Sequence, residues 1–470
     1  GSVSAKVVLP AIFSDNMVLQ QNAQVNLWGK ATPGERVSVK TSWTDKAVTT
    51  KAAADGKWTV KLKTPAAAKG QSVTVSGENE ITINNILIGE VWLCTGQSNM
   101  EFPVARNPQV KWKTGMLNEA EEMKDADFPE IRLFHVEHQL APDGEKEDCV
   151  GKWVVCNPEN LKDFSAVGFV FGRKLYKELS TPVGLIQSTW GGTHAESWTS
   201  MKVMENNPLY ADVLKQYSKE RVSREKDKCK VPATLWNGMI APMVGYTVKG
   251  DIWYQGESNS VRYEKYQEVF TNLINSWRKE WNQPDMPFYF VQLAPYTYDD
   301  AEGLSLPLTV EQQTQALDLI PFSGMASTTD AGSEHTIHPP YKIRVGERLA
   351  LLALKRTYGY GALIAQSPRY ESVRFEAGRA IVRFRTDGIM GPQWKGPIEG
   401  FEIAGADRVF VPAEAEYVPG APEVTVHSDR VPEPVAVRYA FRNMPRAATL
   451  VNSGDLPAYP FRTDDWNDVP

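Results

Sequence analysis

The sequence predicts an α/β protein, with a parallel sheet at its centre and an all-β segment on either side. Three textures along the chain carry that expectation. Up to about residue 88, short stretches alternate apolar and polar residues between Pro-Gly, Asp-Gly and similar breaks. From roughly 90 to 360, short apolar runs alternate with stretches of helical spacing. From about 365 onward, period-two patterning returns among many prolines.

The first segment, residues 1–88, contains "QVNLWG", "ERVSVK", "KWTVKL", "SVTVSG" and "EITINN", the makings of a small sandwich. "NILIGEVWLC" follows as a buried strand, with Ile86, Leu87, Ile88, Val91, Trp92 and Leu93 as its apolar content. In the central segment, 89–364, "VGFVFGRKLYKEL" has helical spacing and precedes "PVGLIQSTWGG", a short strand running into two glycines. The stretch from Tyr263 to Trp281 brings Tyr263, Tyr266, Phe270, Leu273, Ile274, Trp277 and Trp281 onto one face of a long helix. "FYFVQLAPY" and "FSGMASTTD" read as further buried strands. Strand, helix, strand alternation of this kind implies a parallel sheet covered on both faces. The last segment, 365–470, offers "SVRFEAGRAIVRFR", "GFEIAG" and "VAVRYAF" as strands of a second β domain. No flexible Gly/Ser linker separates the three, so they are expected to pack on one another.

Composition narrows the partners. A chain of 470 residues with 42% hydrophobic and 23% charged content is an ordinary globular protein, too long for one core. Its net charge of -6 argues against nucleic acid or an anionic membrane as partner. No apolar run is long enough to span a bilayer. The opening Gly1-Ser2 resembles an expression scar, so a leader is expected to have been removed. The cysteines number four; Cys149 and Cys156 can pair in an oxidising compartment, and Cys94 reads as a buried thiol. The absence of CxxC spacing argues against a zinc site.

The chemistry collects at the strand ends. In open parallel sheets, ligands bind beyond the carboxyl ends of the strands. Ser98 in "CTGQSNMEF", the pair Gly191-Gly192, the segment Gln255 to Asn259, and Asp330 all lie at such ends. A serine hydroxyl needs a neighbouring base to become a nucleophile. Of the six histidines, the loop pair His335 and His338 leads, in "DAGSEHTIHPPYK" after the last apolar strand. His194, just after the glycine pair, is a candidate to line the site. His135 and His138 in "HVEH" lack a third ligand of matching spacing and read as a surface strand. An acyl-transfer site also needs oxyanion donors: the backbone N–H groups of Ser98 and Gly192 and a side-chain amide from Gln255 or Asn259 can supply them. Met100 occupies the position of the second glycine of G-x-S-x-G, which argues against an α/β-hydrolase elbow.

The blocks "GQSNM", "WGGTHAESW", "NGMIAP", "IWYQGESN" and "IHPPYK", with the closing "LPAYPFRTDDW", resemble the sialate O-acetylesterase family of carbohydrate esterases, within the serine-hydrolase superfamily named for its Ser, Gly, Asn and His blocks. The resemblance covers almost the whole chain. It implies a flavodoxin-like SGNH hydrolase domain flanked by β-sandwich-like domains, no cofactor, and removal of O-acetyl groups from sugars, typically sialic acid. It implies Ser98 as nucleophile, His338 as base, and Gly192 with the amide of the QGESN block as oxyanion hole. It also implies a periplasmic or extracellular location.

One position departs from the superfamily pattern. An aspartate often stands three residues before the base histidine, and here that position is His335. Glu257, Asp330, Glu334 or a backbone carbonyl must then orient His338. The expected path of its ring across the QGESN block favours Glu257, leaving Asp330 to brace the loop through backbone N–H groups. An anionic sugar calls for a basic group, for which Arg106 is the candidate. A plant-polysaccharide acetylesterase of the xylan type, or a non-catalytic carbohydrate-binding protein, are the other readings.

Overall fold

The structure, a computed structural model, describes residues 6–392 and 396–470. Gly1 and Ser2 therefore lie outside the described residues. The chain divides into two units: residues 1–252 with 272–287, and residues 253–271 with 288–470.

In the first unit the alternating stretches form β1 (Val18–Gln20), β2 (Gln24–Lys30), β3 (Arg36–Thr41), β4 (Val48–Lys51), β5 (Lys57–Lys63) and β6 (Ala68–Ser76). Alternation turns Val25 and Leu27 of β2, and Trp58, Val60 and Leu62 of β5, inward across an antiparallel pair. β3 pairs with β4 and β6, and β6 pairs with β7 (Glu80–Gly96), a strand of 17 residues. The first part of β7 carries β6 and β1. Its last seven residues pair in parallel with β10 (Val183–Thr189). The expected sandwich of residues 1–88 is therefore continuous, through β7, with the sheet that follows. Burial along β7 alternates at first and becomes unbroken from Ile86 to Gly96, as a strand covered on both faces requires.

Beyond β10 come β8 (Phe128–His135), parallel to it, and β9 (Trp153–Cys156), antiparallel to β8. Two helices bear on this part: α1 (Ser98–Glu101) and α2 (Ala166–Leu179). Ser165 caps α2 by accepting the Gly168 N–H at 3.0 Å, and Phe169, Val170, Phe171 and Leu175 are buried. The indole N–H of Trp153 donates to the Ile12 carbonyl, and Arg132 donates to the carbonyls of Asn16 and Asn85, tying the N-terminal strands down. The pairing of Cys149 with Cys156 does not form. All four cysteines are free and buried, and burial pushes the Cys149 and Cys156 thiols up to about 12.

β11 (Gly250–Tyr254) starts in the first unit and ends in the second, where β12 (Phe288–Val291) and β13 (Ser323–Ala326) pair in parallel. The long helix expected from residue periodicity is α3 (Tyr263–Glu280). Of its predicted apolar face, Tyr266, Phe270, Leu273, Ile274, Trp277 and Trp281 are buried. The reading of the sequence named neither α4 (Ser305–Ala316) nor α5 (Lys342–Arg356).

The C-terminal segment forms two four-stranded sheets. One runs in the order β14 (Arg369–Glu376), β15 (Arg379–Arg385), β19 (Glu423–His427), β18 (Glu414–Tyr417). The other runs β17 (Val411–Pro412), β16 (Phe401–Ala404), β20 (Ala436–Tyr439), β21 (Phe461–Arg462). A shared core of Val382, Phe384, Ile403, Val424, Tyr439 and Phe461 joins them. Arg462 pairs with Glu311 of α4, and Thr329 donates to the Ala458 carbonyl, so this segment is bonded to the rest of its unit. Among the described residues no helix is long and apolar enough to cross a membrane.

Gly89 marks where β7 exchanges β1 for β10 as neighbour. The Pro182 carbonyl, which accepts the Glu90 N–H at 2.8 Å, lies 2.0 Å from where a Cβ on Gly89 would stand. Backbone cannot yield there as a side-chain tip can. Gly89→Ala should destabilise the protein by roughly 3 kcal/mol, at the upper end of overpacking effects. Thermal or urea denaturation reads this directly, and a variant as stable as wild type would contradict the close approach.

Candidate active site

β7 and β10 run in register to their ends, Thr189 opposite Gly96, so the loops that follow leave the sheet side by side. On one, the extended Gln97 precedes α1, and its carbonyl accepts the N–H groups of Met100 and Glu101. Ser98 opens this turn and is 8% exposed. Met100 is fully buried, and its sulfur accepts the Ser165 hydroxyl at 3.4 Å. The residue that breaks the elbow pattern thus anchors the turn to the start of α2. On the other loop, a Cβ on Gly191 would lie 3.2 Å from the Ser98 Cβ and 3.5 Å from Cζ2 of Trp112. Gly192 adopts φ +73° and has open space in front of it. Behind the turn, the Thr95 hydroxyl sits 2.9 Å from each carboxyl oxygen of Asp251. Burial drives the pKa of the Asp251 carboxyl well above its ordinary range.

Sequence reasoning missed a polar cluster beside this turn. The Glu101 carboxylate lies 2.9 Å from Nε2 of His138 and 3.3 Å from Nζ of Lys113. Burial alone would raise the Glu101 pKa. The hydrogen bonds and charges of His138 and Lys113 outweigh it and hold the carboxyl below its usual range. His138 stacks on Trp190, ring centroids 3.9 Å apart and planes 6° from parallel, so it is not an idle surface residue. His135, at the end of β8, is neutral at physiological pH because burial drives its pKa to about 4. His194 is buried and meets Tyr217 edge-on. Arg106 is exposed, and its backbone N–H donates to Glu119.

The second unit holds the other predicted residues. After β11, Gln255 and Asn259 are buried, and the Gln255 amide donates to Oδ1 of Asn259 at 2.8 Å. The Tyr266 hydroxyl lies 2.8 Å from Oε1 of Gln255 and 3.0 Å from its backbone carbonyl. The backbone N–H of His338 donates to Oγ1 of Thr336. The loop before it is pinned where Ser333 N–H meets the Pro295 carbonyl and Thr297 donates to the Glu334 carbonyl. His335 and Glu334 are exposed. Asp330 does brace its loop, but through arginines rather than backbone N–H groups. Its two carboxylate oxygens accept from Nη1 and Nη2 of Arg348 at 2.6 and 2.7 Å, and its carbonyl accepts from Arg344. Glu257 is buried, and its charge acts on Lys342, Tyr254 and Tyr298. Among the described residues, no group of three or more His, Cys, Asp and Glu is arranged to hold a metal ion.

Lys342 had drawn no attention in the sequence. It is 1% exposed at the start of α5, with its ammonium 5.3 Å from the Tyr254 ring centroid. Burial lowers its pKa to about 7, against an opposing pull from Glu257. Between about pH 7 and the ordinary 10.5, the unfolded chain holds a proton here that the folded chain lacks, so stability rises with pH across that window. Lys342→Met removes that slope. The melting temperature of wild type relative to the variant should climb by on the order of 5 °C from about pH 7 to about pH 10. A difference flat across that range would mean that the ammonium is not buried in the folded protein.

Residues 88–355 match the family described as carbohydrate esterase, sialic acid-specific acetylesterase. A sialate O-acetylesterase of Mus musculus is 28% identical over 515 residues, covering 96% of this chain and 93% of its own. One from Homo sapiens is 30% identical over 412 residues, covering 79% and 75%. The crystal structure of a carbohydrate acetylesterase from Xanthomonas citri superposes with a TM-score of 0.87 at 34% identity, covering 98% of this chain and all of that one. The chain is an ester hydrolase and belongs to the carbohydrate esterase family of sialic acid-specific acetylesterases.

Proposed function

We propose that the protein removes O-acetyl groups from sugars, O-acetylated sialic acid foremost, through an acyl-enzyme on Ser98. His338 takes the proton of Ser98 Oγ as the hydroxyl attacks the acetyl carbonyl. The resulting oxyanion meets the N–H groups of Ser98 and Gly192 and the side-chain amide of Asn259. As the intermediate collapses to the acyl-enzyme, His338 protonates the departing sugar oxygen, and water releases acetate by the reverse sequence of proton transfers. The observation that carries this reading is the approach of Gly191 to Ser98. A side chain on Gly191 would crowd the nucleophile, whereas glycine leaves room for an acetyl ester.

Two details refine the roles. The hydrogen bond from Gln255 to Oδ1 of Asn259 supports Asn259 as the oxyanion donor, because it turns the Nδ2 group of Asn259 away from Gln255. Gln255 then holds that amide in place. The Arg348 guanidinium on both oxygens of Asp330 supports Glu257 as the acid that orients His338. The strand order within each unit, β10-β7-β11 in the first and β11-β12-β13 in the second, supports reading the sheet as flavodoxin-like. β8 and β9 are additions beyond β10.

Ser98→Ala should reduce hydrolysis of a small acetyl ester by several orders of magnitude while leaving the melting curve unchanged. A fluorophosphonate probe should label wild type at Ser98 and leave the variant unlabelled; labelling at another serine would sink the assignment. Glu257→Gln keeps the shape and removes the charge. It should lower kcat far more than Asp330→Asn, whose effect should fall on stability. Larger kinetic damage from Asp330→Asn at intact stability would reverse the roles of the two carboxylates.

A further inference from the structure

The cluster beside Ser98 has a chemistry that acyl transfer itself does not need. Trp112 stands against Gly191, its Cζ2 3.5 Å from where a Cβ would be. Lys113 follows it, with Nζ 5.3 Å from the Trp112 ring centroid and 3.3 Å from Oε1 of Glu101. Glu101 also holds His138, and His138 lies flat on Trp190, the residue before Gly191. These contacts link Trp112 to Trp190 through Lys113, Glu101 and His138.

Exposure separates anchors from available groups. The Glu101 side chain is 6% exposed, those of Lys113 and His138 are 21% and 40%, and Trp112 is half-buried. The loop carrying Trp112 is preset rather than loose. Asn107 N–H donates to the Lys113 carbonyl, Lys113 N–H to that of Val110, Met116 N–H to that of Val104, and Arg106 N–H to Glu119. A half-buried indole on a braced loop, with an ammonium over one of its faces, suits a pyranose ring that carries a negative charge. The ring's apolar face stacks on the indole, and a carboxylate takes the donors of Lys113 that Glu101 leaves unused.

We propose that Trp112 and Lys113 are the specificity-determining wall of this site. Trp112 receives the pyranose ring of the acetylated sugar, and Lys113 receives a carboxylate on that ring. Buried Glu101 anchors the ammonium. The proposal rests on Ser98 as nucleophile and deepens that reading by naming the groups that choose the sugar.

The test compares kcat/KM on three esters: O-acetylated sialic acid, an acetylated neutral xylo-oligosaccharide, and p-nitrophenyl acetate. Trp112→Ala should lower the value for both sugar esters at least about tenfold more than for p-nitrophenyl acetate, mainly through KM, because a stacking contact acts on ground state and transition state alike. Trp112→Phe, which keeps an aromatic face, should recover part of the loss and guards against a folding defect. Lys113→Met should lower the preference for the carboxylated over the neutral sugar by about tenfold, the scale of one charge-assisted contact, and Lys113→Arg should restore most of it. An equal fall on all three esters in both Trp112 variants would overturn the part of Trp112. An unchanged preference in Lys113→Met would overturn that of Lys113. Failure of the parent reading looks different: wild type hydrolyses p-nitrophenyl acetate without fluorophosphonate labelling at Ser98.

Discussion

Parallel strands in register end together, and the first unit is organised around one such pair. β7 and β10 match residue for residue from Glu90 and Val183 to Gly96 and Thr189. That register delivers the Ser98 turn and the Gly191-Gly192 turn to the same place. A slip of one residue would turn every side chain of the strand to the opposite face and separate the loops by about a strand rise. Much of the surrounding structure serves to prevent the slip. β1 and β6 hold the first part of β7, and the Pro182 carbonyl fits against Gly89 at the point where β10 takes over. Met100 ties the turn itself to α2 through Ser165.

Electrostatics then divides the carboxylates by their neighbours rather than by their depth. Asp251 is enclosed beside a threonine hydroxyl, and desolvation drives its pKa well above the ordinary carboxylate range. Glu101 is nearly as enclosed, but Lys113 and His138 reverse the balance and keep it ionised. Asp330 is claimed by the fork of Arg348, a geometry that matches both oxygens of a carboxylate at once. Glu257 has lysine for its cationic neighbour, and Lys342 gives up most of its ordinary basicity to remain inside. For the buried ones a single rule holds: burial opposes charge until a specific partner offsets it.

What the sequence made legible follows the range of the interactions involved. Alternation in β2 and β5, the apolar stripe of α3 and the helical spacing of α2 depend on neighbours a few residues apart, and all were readable. The strand-end positions of Ser98, Gly192 and Gln255 were readable for the same reason. His138 was not, because its partner Glu101 is 37 residues away and Trp190 is further along still. Trp112 was one of fourteen tryptophans with no pattern to mark it. Nothing local signals that Lys342 is interior, because a lysine just past Pro339-Pro340-Tyr341 carries no apolar pattern. The Cys149 and Cys156 pairing failed for the converse reason: close spacing in sequence does not bring two sulfurs together when each packs separately into the core.

The departure at position 335 has a structural cost that Lys342 helps to explain. An acid three residues before a base histidine is a local device, held near the ring by the chain itself. His335 is exposed and cannot play that part. If Glu257 orients His338, the acid comes from another strand end, and the two segments must be kept in register by something else. Lys342 lies four residues after His338, is buried, and feels the charge of Glu257. Burial disfavours the ammonium, and the charge of Glu257 opposes that penalty, so moving the loop away from Glu257 would leave the penalty unopposed. The Ser333–Pro295 and Thr297–Glu334 hydrogen bonds hold the other end of the same loop. An acid drawn from another strand end needs its loop fixed in this way, because a triad acid works only from a set position beside the ring.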